Sequence, residues 1–135
     1  MIKKVDHIGI VVKDLDRMMN IYSKSLGLEF VEMREFKDVP LKVAVYRVGE
    51  MFVELLEYGN YSSETVKALR GDQQGFNHVC YEVDRFDETM KKMQETGFQL
   101  IPGFPRSGVH GKIAFFNPPP PSRELIEILT MEDGT

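Results

Sequence analysis

The sequence predicts an α+β fold made of two tandem β-α-β-β-β modules, and three observations carry the prediction. The segment Asp6-His7-Ile8-Gly9-Ile10-Val11-Val12 is echoed by Asn77-His78-Val79-Cys80-Tyr81-Glu82-Val83, an offset of 71 from His7 to His78. A helical stripe follows each echo, and β-type runs follow each stripe. The closing runs match as well, Val53-Glu54-Leu55-Leu56 returning as Ile126-Glu127-Ile128-Leu129.

Each element has a local reason. After the first β-run, Leu15, Met18, Met19, Tyr22 and Leu26 fall at i, i+3, i+4, i+7 and i+11, one face of a helix. Asp14 or Asp16 suits its N-terminus, and Gly27 its end. Strands are expected at 28–36, 41–48 and 51–57, with Gly49-Glu50 as a tight connection. In the second half Phe86, Met90 and Met93 repeat the stripe, Asp84 or Asp87 stands at its start and Gly97 at its end. Strands then follow at 98–101, 112–116 and 124–130, while Pro118 to Pro121 reads as an extended loop and 103–111 as a Gly- and Pro-rich one. Module one spans about 1–58, a polar linker about 59–75, and module two about 76–131, all within one domain, 1–135. The linker holds a short helix at 64–69 after a Ser62-Ser63 cap.

At 135 residues, 42% hydrophobic and 28% charged, the chain is long enough for one core and too short for two ordinary domains. Seventeen Lys+Arg against twenty-one Asp+Glu leave a net charge of −4, which argues against nucleic acid or an anionic membrane as partner. No apolar run approaches the roughly 20 residues of a membrane span, and the first residues lack a secretory pattern, so a soluble cytoplasmic protein is expected. With Cys80 as the one cysteine, any metal must be held by nitrogen and oxygen.

The informative residues are His7, Glu54, His78 and Glu127. Each interrupts an apolar β-run, and each has a counterpart in the other half. A carboxylate facing a core unpaired is costly, and this sequence places one there twice. Two imidazoles and two carboxylates form a donor set for Co, Zn, Ni or Mn with room for two further oxygens, provided the first and last strands of each module are neighbours. His110 on the 103–111 loop reads as solvated, Cys80 as a small core residue, and the methionines as core filling.

These motifs resemble the vicinal oxygen chelate superfamily, and within it the methylmalonyl-CoA epimerases, over nearly the whole chain. The resemblance rests on Val5-Asp6-His7-Ile8-Gly9-Ile10, Leu26-Gly27-Leu28, Val53-Glu54-Leu55-Leu56-Glu57, Asn77-His78-Val79, Gly108-Val109-His110-Gly111-Lys112 and Leu125-Ile126-Glu127, in that order. It implies a cupped, partly open mixed β-sheet barrel with flanking helices. It also implies a divalent metal on His7, Glu54, His78 and Glu127, where epimerases can carry Gln in place of Glu54. The implied activity is an isomerase drawing a proton from the carbon next to a thioester carbonyl, with Glu127 as ligand and base, an acyl-CoA thioester as substrate and a homodimer as assembly. Lys42, Arg47, Arg106, Lys112 and Arg123 offer contacts for its phosphates. Two departures stand out: Asn117-Pro118-Pro119-Pro120-Pro121-Ser122-Arg123 replaces the epimerases' His-Pro-Lys and Gly-Gly stretch, and strand 41–48 has no carboxylate. Rival readings are a glyoxalase-like lyase or isomerase of the same superfamily, and a resistance-type protein that sequesters a small molecule.

Overall fold

A computed structural model describes residues 1–37, 39–60, 63–108 and 111–131. Its elements are β1 (Ile2–Val11), α1 (Leu15–Asn20), β2 (Glu29–Phe36), β3 (Leu41–Val48), β4 (Met51–Tyr58), α2 (Glu64–Arg70), β5 (Gly75–Val83), α3 (Phe86–Glu95), β6 (Gln99–Leu100), β7 (Arg106–Ser107), β8 (Lys112–Asn117) and β9 (Leu125–Thr130). The fold is α+β; the first half runs β-α-β-β-β as its sequence pattern requires, and the second keeps that order with one short strand, β7, added. The described residues pack as two units, one of His7–Asn77 and the other of Met1–Asp6 with the chain from His78 onward.

In the first unit the strands lie in the order β2-β3-β4-β1. The first three form an antiparallel meander, and β1 joins β4 in parallel. Alternation along the strands gives the sheet two apolar faces. Ala44, Tyr46, Val53 and Leu55 pack with Leu15, Met18, Met19 and Tyr22 of the helical segment, whereas Val11, Val43, Val45 and Leu56 cluster with Phe36, Leu41, Phe52 and Tyr58 on the other face.

The N-terminus of α1 is held by two acids. Asp14 accepts from the Arg17 amide at 3.1 Å, and Glu57 of β4 accepts from the Leu15 amide at 2.9 Å, satisfying donors that the helix leaves orphaned. Beyond Asn20 the helix widens into a π turn, Ile21–Ser25, closed by Leu26 N–H donating to the Ile21 carbonyl. The wider turn rotates Leu26 off the apolar stripe, so it stands 60% exposed where the periodicity places it in the core.

α2 forms where the linker helix is expected. The Ser63 hydroxyl accepts from the Val66 amide, while Ser62 lies outside the described residues. Asn77 closes its far end, donating through Nδ2 to the carbonyls of Leu69 and Arg70 at 3.0 and 3.3 Å. The polar residue ahead of His78 therefore seats a helix terminus against the start of β5.

In the second unit the leading residues of β1 lie beside β5, followed by β9, β8 and β6, with β7 also on β8. β5 and β9 are parallel, and β8 and β9 antiparallel. Cys80, Phe86, Ile101, Ala114, Phe116 and Ile128 are fully buried. Three details differ from the sequence pattern. The strand expected at 98–101 shrinks to Gln99–Leu100, and the loop expected at 103–111 contributes β7, paired to Ile113 and Lys112. α3 has no side-chain cap: Asp84 accepts instead from the Met1 ammonium, while Asp87 and Glu88 complement the dipole from the first turn. Among the described residues no helix is long and apolar enough to cross a membrane.

Candidate functional site

The registers settle which side chains share a face. In the parallel β1·β4 pair, Gly9 is opposite Glu54 and His7 is opposite Phe52. Glu54 thus emerges on the face of His7, two residues along, and its Oε1 lies 3.5 Å from His7 Nε2. This is the face of Val11, Val43, Val45 and Leu56, turned away from α1.

The second module repeats the offset. Cys80 is opposite Glu127 and His78 is opposite Leu125, so Glu127 again emerges two residues along from the histidine, with Oε1 3.3 Å from His78 Nε2. The side chains of His78 and Glu127 are only 4% and 7% exposed, against 8% and 17% for His7 and Glu54. Four polar side chains are thus sunk in apolar strands as two imidazole–carboxylate pairs of equal register.

These pairs have the chemistry of metal ligands. Two donors each about 2.1 Å from an ion, subtending 90–110°, stand roughly 3.0–3.4 Å apart. Of the two Nε2–Oε1 separations, 3.3 Å falls within that range and 3.5 Å just beyond it, whereas a charge-assisted hydrogen bond is commonly 2.7–2.9 Å. Neutral imidazole and carboxylate also suit Zn, Co, Ni or Mn.

Around each pair the wall is apolar and aromatic. Phe115 of β8 is opposite Glu127, and its ring meets His78 edge to face with centroids 5.1 Å apart. Phe104 packs on Phe115 at 5.3 Å, and Arg106 lies over Phe104 at 5.7 Å. In the first module Arg47 lies over Phe52 at 4.9 Å.

The five cations suggested by sequence are sorted by the same registers. Arg47 and Arg106 are on the faces of Glu54 and Glu127. Lys42 and Lys112 are on the opposite faces, and Lys112 is committed to Asp87 at 3.1 Å and to the Phe86 ring. Arg123 is on the exposed approach to β9. Val109 and His110 lie outside the described residues. Phe115 and Phe104 escaped the sequence reading, because only the β8·β9 register tells Phe115, facing Glu127, from Phe116, buried on the other side.

A β-α-β-β-β module used twice, with histidine on its first strand and glutamate on its last, defines a class of protein. The sequence profile of the Glyoxalase/Bleomycin resistance protein/Dioxygenase superfamily matches residues 6–116, and the chain belongs to that superfamily, the vicinal oxygen chelate proteins. Within it, the chain is 30% identical over 126 residues to the uncharacterized protein YqjC of Bacillus subtilis, spanning 93% of this chain and 90% of that one. It is 28% identical over 131 residues to the ethylmalonyl-CoA/methylmalonyl-CoA epimerase of Cereibacter sphaeroides, spanning 95% and 98%. The crystal structure of methylmalonyl-CoA epimerase from Mycobacterium tuberculosis superposes with a TM-score of 0.78 at 25% identity, over 97% of this chain and 89% of that one.

Proposed function

We propose that this protein is a metal-dependent isomerase of the methylmalonyl-CoA epimerase kind, acting as a single domain on the carbon between the carboxylate and thioester of an acyl-CoA. The observation that carries the reading is the twice-repeated register that sets a carboxylate, buried for Glu127 and mostly buried for Glu54, beside a buried imidazole. The epimerase relatives support the substrate class.

In this reading His7, Glu54, His78 and Glu127 together hold one divalent ion. When bound, the metal supplies Lewis-acid stabilisation for negative charge developing on the thioester oxygen. Glu127 takes the α-proton on a carboxylate oxygen, and its burial beside His78 and Phe115 keeps bulk water from competing for that proton. Glu54, entering the step as the carboxylic acid, gives its proton to the other face and becomes the carboxylate as Glu127 becomes the acid, a role left open by the absence of a carboxylate on β3. The imidazoles are fixed in place by their strands. A homodimer in the cytoplasm belongs to the same proposal.

The test is incubation of metal-loaded protein with racemic methylmalonyl-CoA in heavy water, following loss of the α-proton by NMR. Exchange is expected, falling by about 10²–10⁴ in Glu127→Gln and on chelation. Absent exchange with turnover of a hemithioacetal would favour the glyoxalase-like reading. Absent metal with tight capture of an intact small molecule would favour sequestration.

A further inference from the structure

We infer that Arg47 is the oxyanion-recognition residue of the first module, binding a carboxylate or phosphate of the substrate beside His7. The substrate's identity rests on the function proposed above, whereas the placement of Arg47 rests on the sheet alone.

Three registers define one row across the first unit: Glu29 of β2, Arg47 of β3, Phe52 of β4 and His7 of β1. Registered partners share a face, so all four side chains rise on the side of Glu54. Arg47 has two neighbours in that row. On one side stands Glu29, a carboxylate of opposite charge. On the other stands Phe52, the direct partner of His7. The guanidinium lies over Phe52, 4.9 Å from the ring centroid, and among the described residues it forms no ion pair and no hydrogen bond.

That choice has a chemical consequence. A contact with the ring takes up none of the guanidinium's N–H donors, which leaves them for a planar or tetrahedral oxyanion. With strands about 4.8 Å apart, a cation above β4 is one strand spacing from His7, within the length of a small substrate held at the His7–Glu54 pair. Arg34 on the same face is unlike it, since its Nε and Nη2 are bound to the Glu32 carboxylate at 2.8 and 3.1 Å.

The experiment compares wild type, Arg47→Gln, Arg47→Lys and, as a charge-matched control on the exposed side of α3, Lys91→Gln. Methylmalonyl-CoA and methylmalonyl-pantetheine are the probes; both carry the carboxylate, and only the first carries phosphates. For Arg47→Gln we expect KM to rise roughly tenfold with kcat within about twofold, and Arg47→Lys to recover part of the loss. A rise with both thioesters assigns the carboxylate, and a rise with the CoA ester alone assigns phosphate. Unchanged KM on both, loss confined to kcat, or an equal shift in Lys91→Gln would overturn the inference.

Calorimetric titration with the same thioesters separates the two proposals. Arg47-dependent binding without proton exchange sinks the epimerase reading and leaves Arg47 standing, and exchange with Arg47-independent affinity does the reverse. Wild-type protein that binds neither thioester overturns both.

Discussion

The π turn after α1 is tied down by one hydroxyl, and Tyr46→Phe measures what that tie contributes. Tyr46 is fully buried on the α1 side of β3, its ring packed against Tyr22 and Phe30. Its Oη donates to the Met19 carbonyl at 3.2 Å and lies 3.0 Å from Ser23 Oγ, which then donates to it. Removing the hydroxyl keeps the ring but strips a part-buried carbonyl of that donor, which costs about 1–3 kcal/mol, while Ser23 re-solvates at lower cost. The sum is about 2 kcal/mol. In urea unfolding, with a slope near 1.5 kcal/mol/M, the midpoint should fall by about 1 M at unchanged slope. Ser23→Ala leaves the Met19 bond in place and should cost about 0.5–1 kcal/mol, with the double variant close to Tyr46→Phe alone. A Tyr46→Phe midpoint within about 0.3 M of wild type, or a larger loss in Ser23→Ala, would refute the assignment of Tyr46 as the tie.

Further expectations concern backbone, pH and metal. Gly49 has φ +61° with open space around its missing Cβ, so Gly49→Ala should cost about 1 kcal/mol by thermal melt. Gly111→Ala should be far worse, because its Cβ would clash with the Thr130 carbonyl oxygen, and the assay is whether soluble folded protein is recovered. The Arg85 hydrogen bond, then the Lys92 charge, hold the exposed Glu88 carboxyl below its ordinary value. A lowered carboxylate pKa stabilises above the unfolded value and loses that effect as pH falls through the folded one. The stability gap between wild type and Glu88→Gln should therefore be present at pH 7, disappear in the acid range below about pH 4, and shrink with added salt. Zinc or cobalt at a hundred times its dissociation constant should raise stability by about 2.7 kcal/mol, and chelation or His78→Ala should abolish the rise.

The two-module fold was legible because it is a repeat: a β-run, a stripe and a returning glutamate recur at nearly constant spacing, and local pattern agrees with the whole. Asp14 and Ser63 were legible as caps for the same reason, since capping is decided within three residues. What escaped required contacts between distant segments. Glu57 as a second cap for α1 is 42 residues from Leu15, and the π turn that exposes Leu26 leaves no mark in the spacing of Met18, Met19 and Tyr22. β7 escaped because two residues of strand beside a Pro- and Gly-rich run carry no periodicity at all.

The His–Glu pairs show why a candidate site can be read from sequence while its surroundings cannot. In a parallel pair the face is fixed by parity: a slip of one residue would turn Glu54 toward Ala44 and Tyr46, where a carboxylate has no partner and its burial is costly. Apolar neighbours on both sides of each glutamate therefore constrain it strongly. Either the strand faces water, or the acid has a polar reason to be on its own face. Two modules carrying the same interruption remove the first option, since Leu56, beside Glu54 on its own face, and Leu125 and Leu129, beside Glu127 on its own face, are all buried. No such constraint acts on Phe115 or Arg47. An aromatic ring is tolerated on either face and an arginine at any rim, so their positions beside His78 and Phe52 follow from strand pairing alone. The acids are specified by what they would cost elsewhere, and the aromatic and cationic wall by what it adjoins.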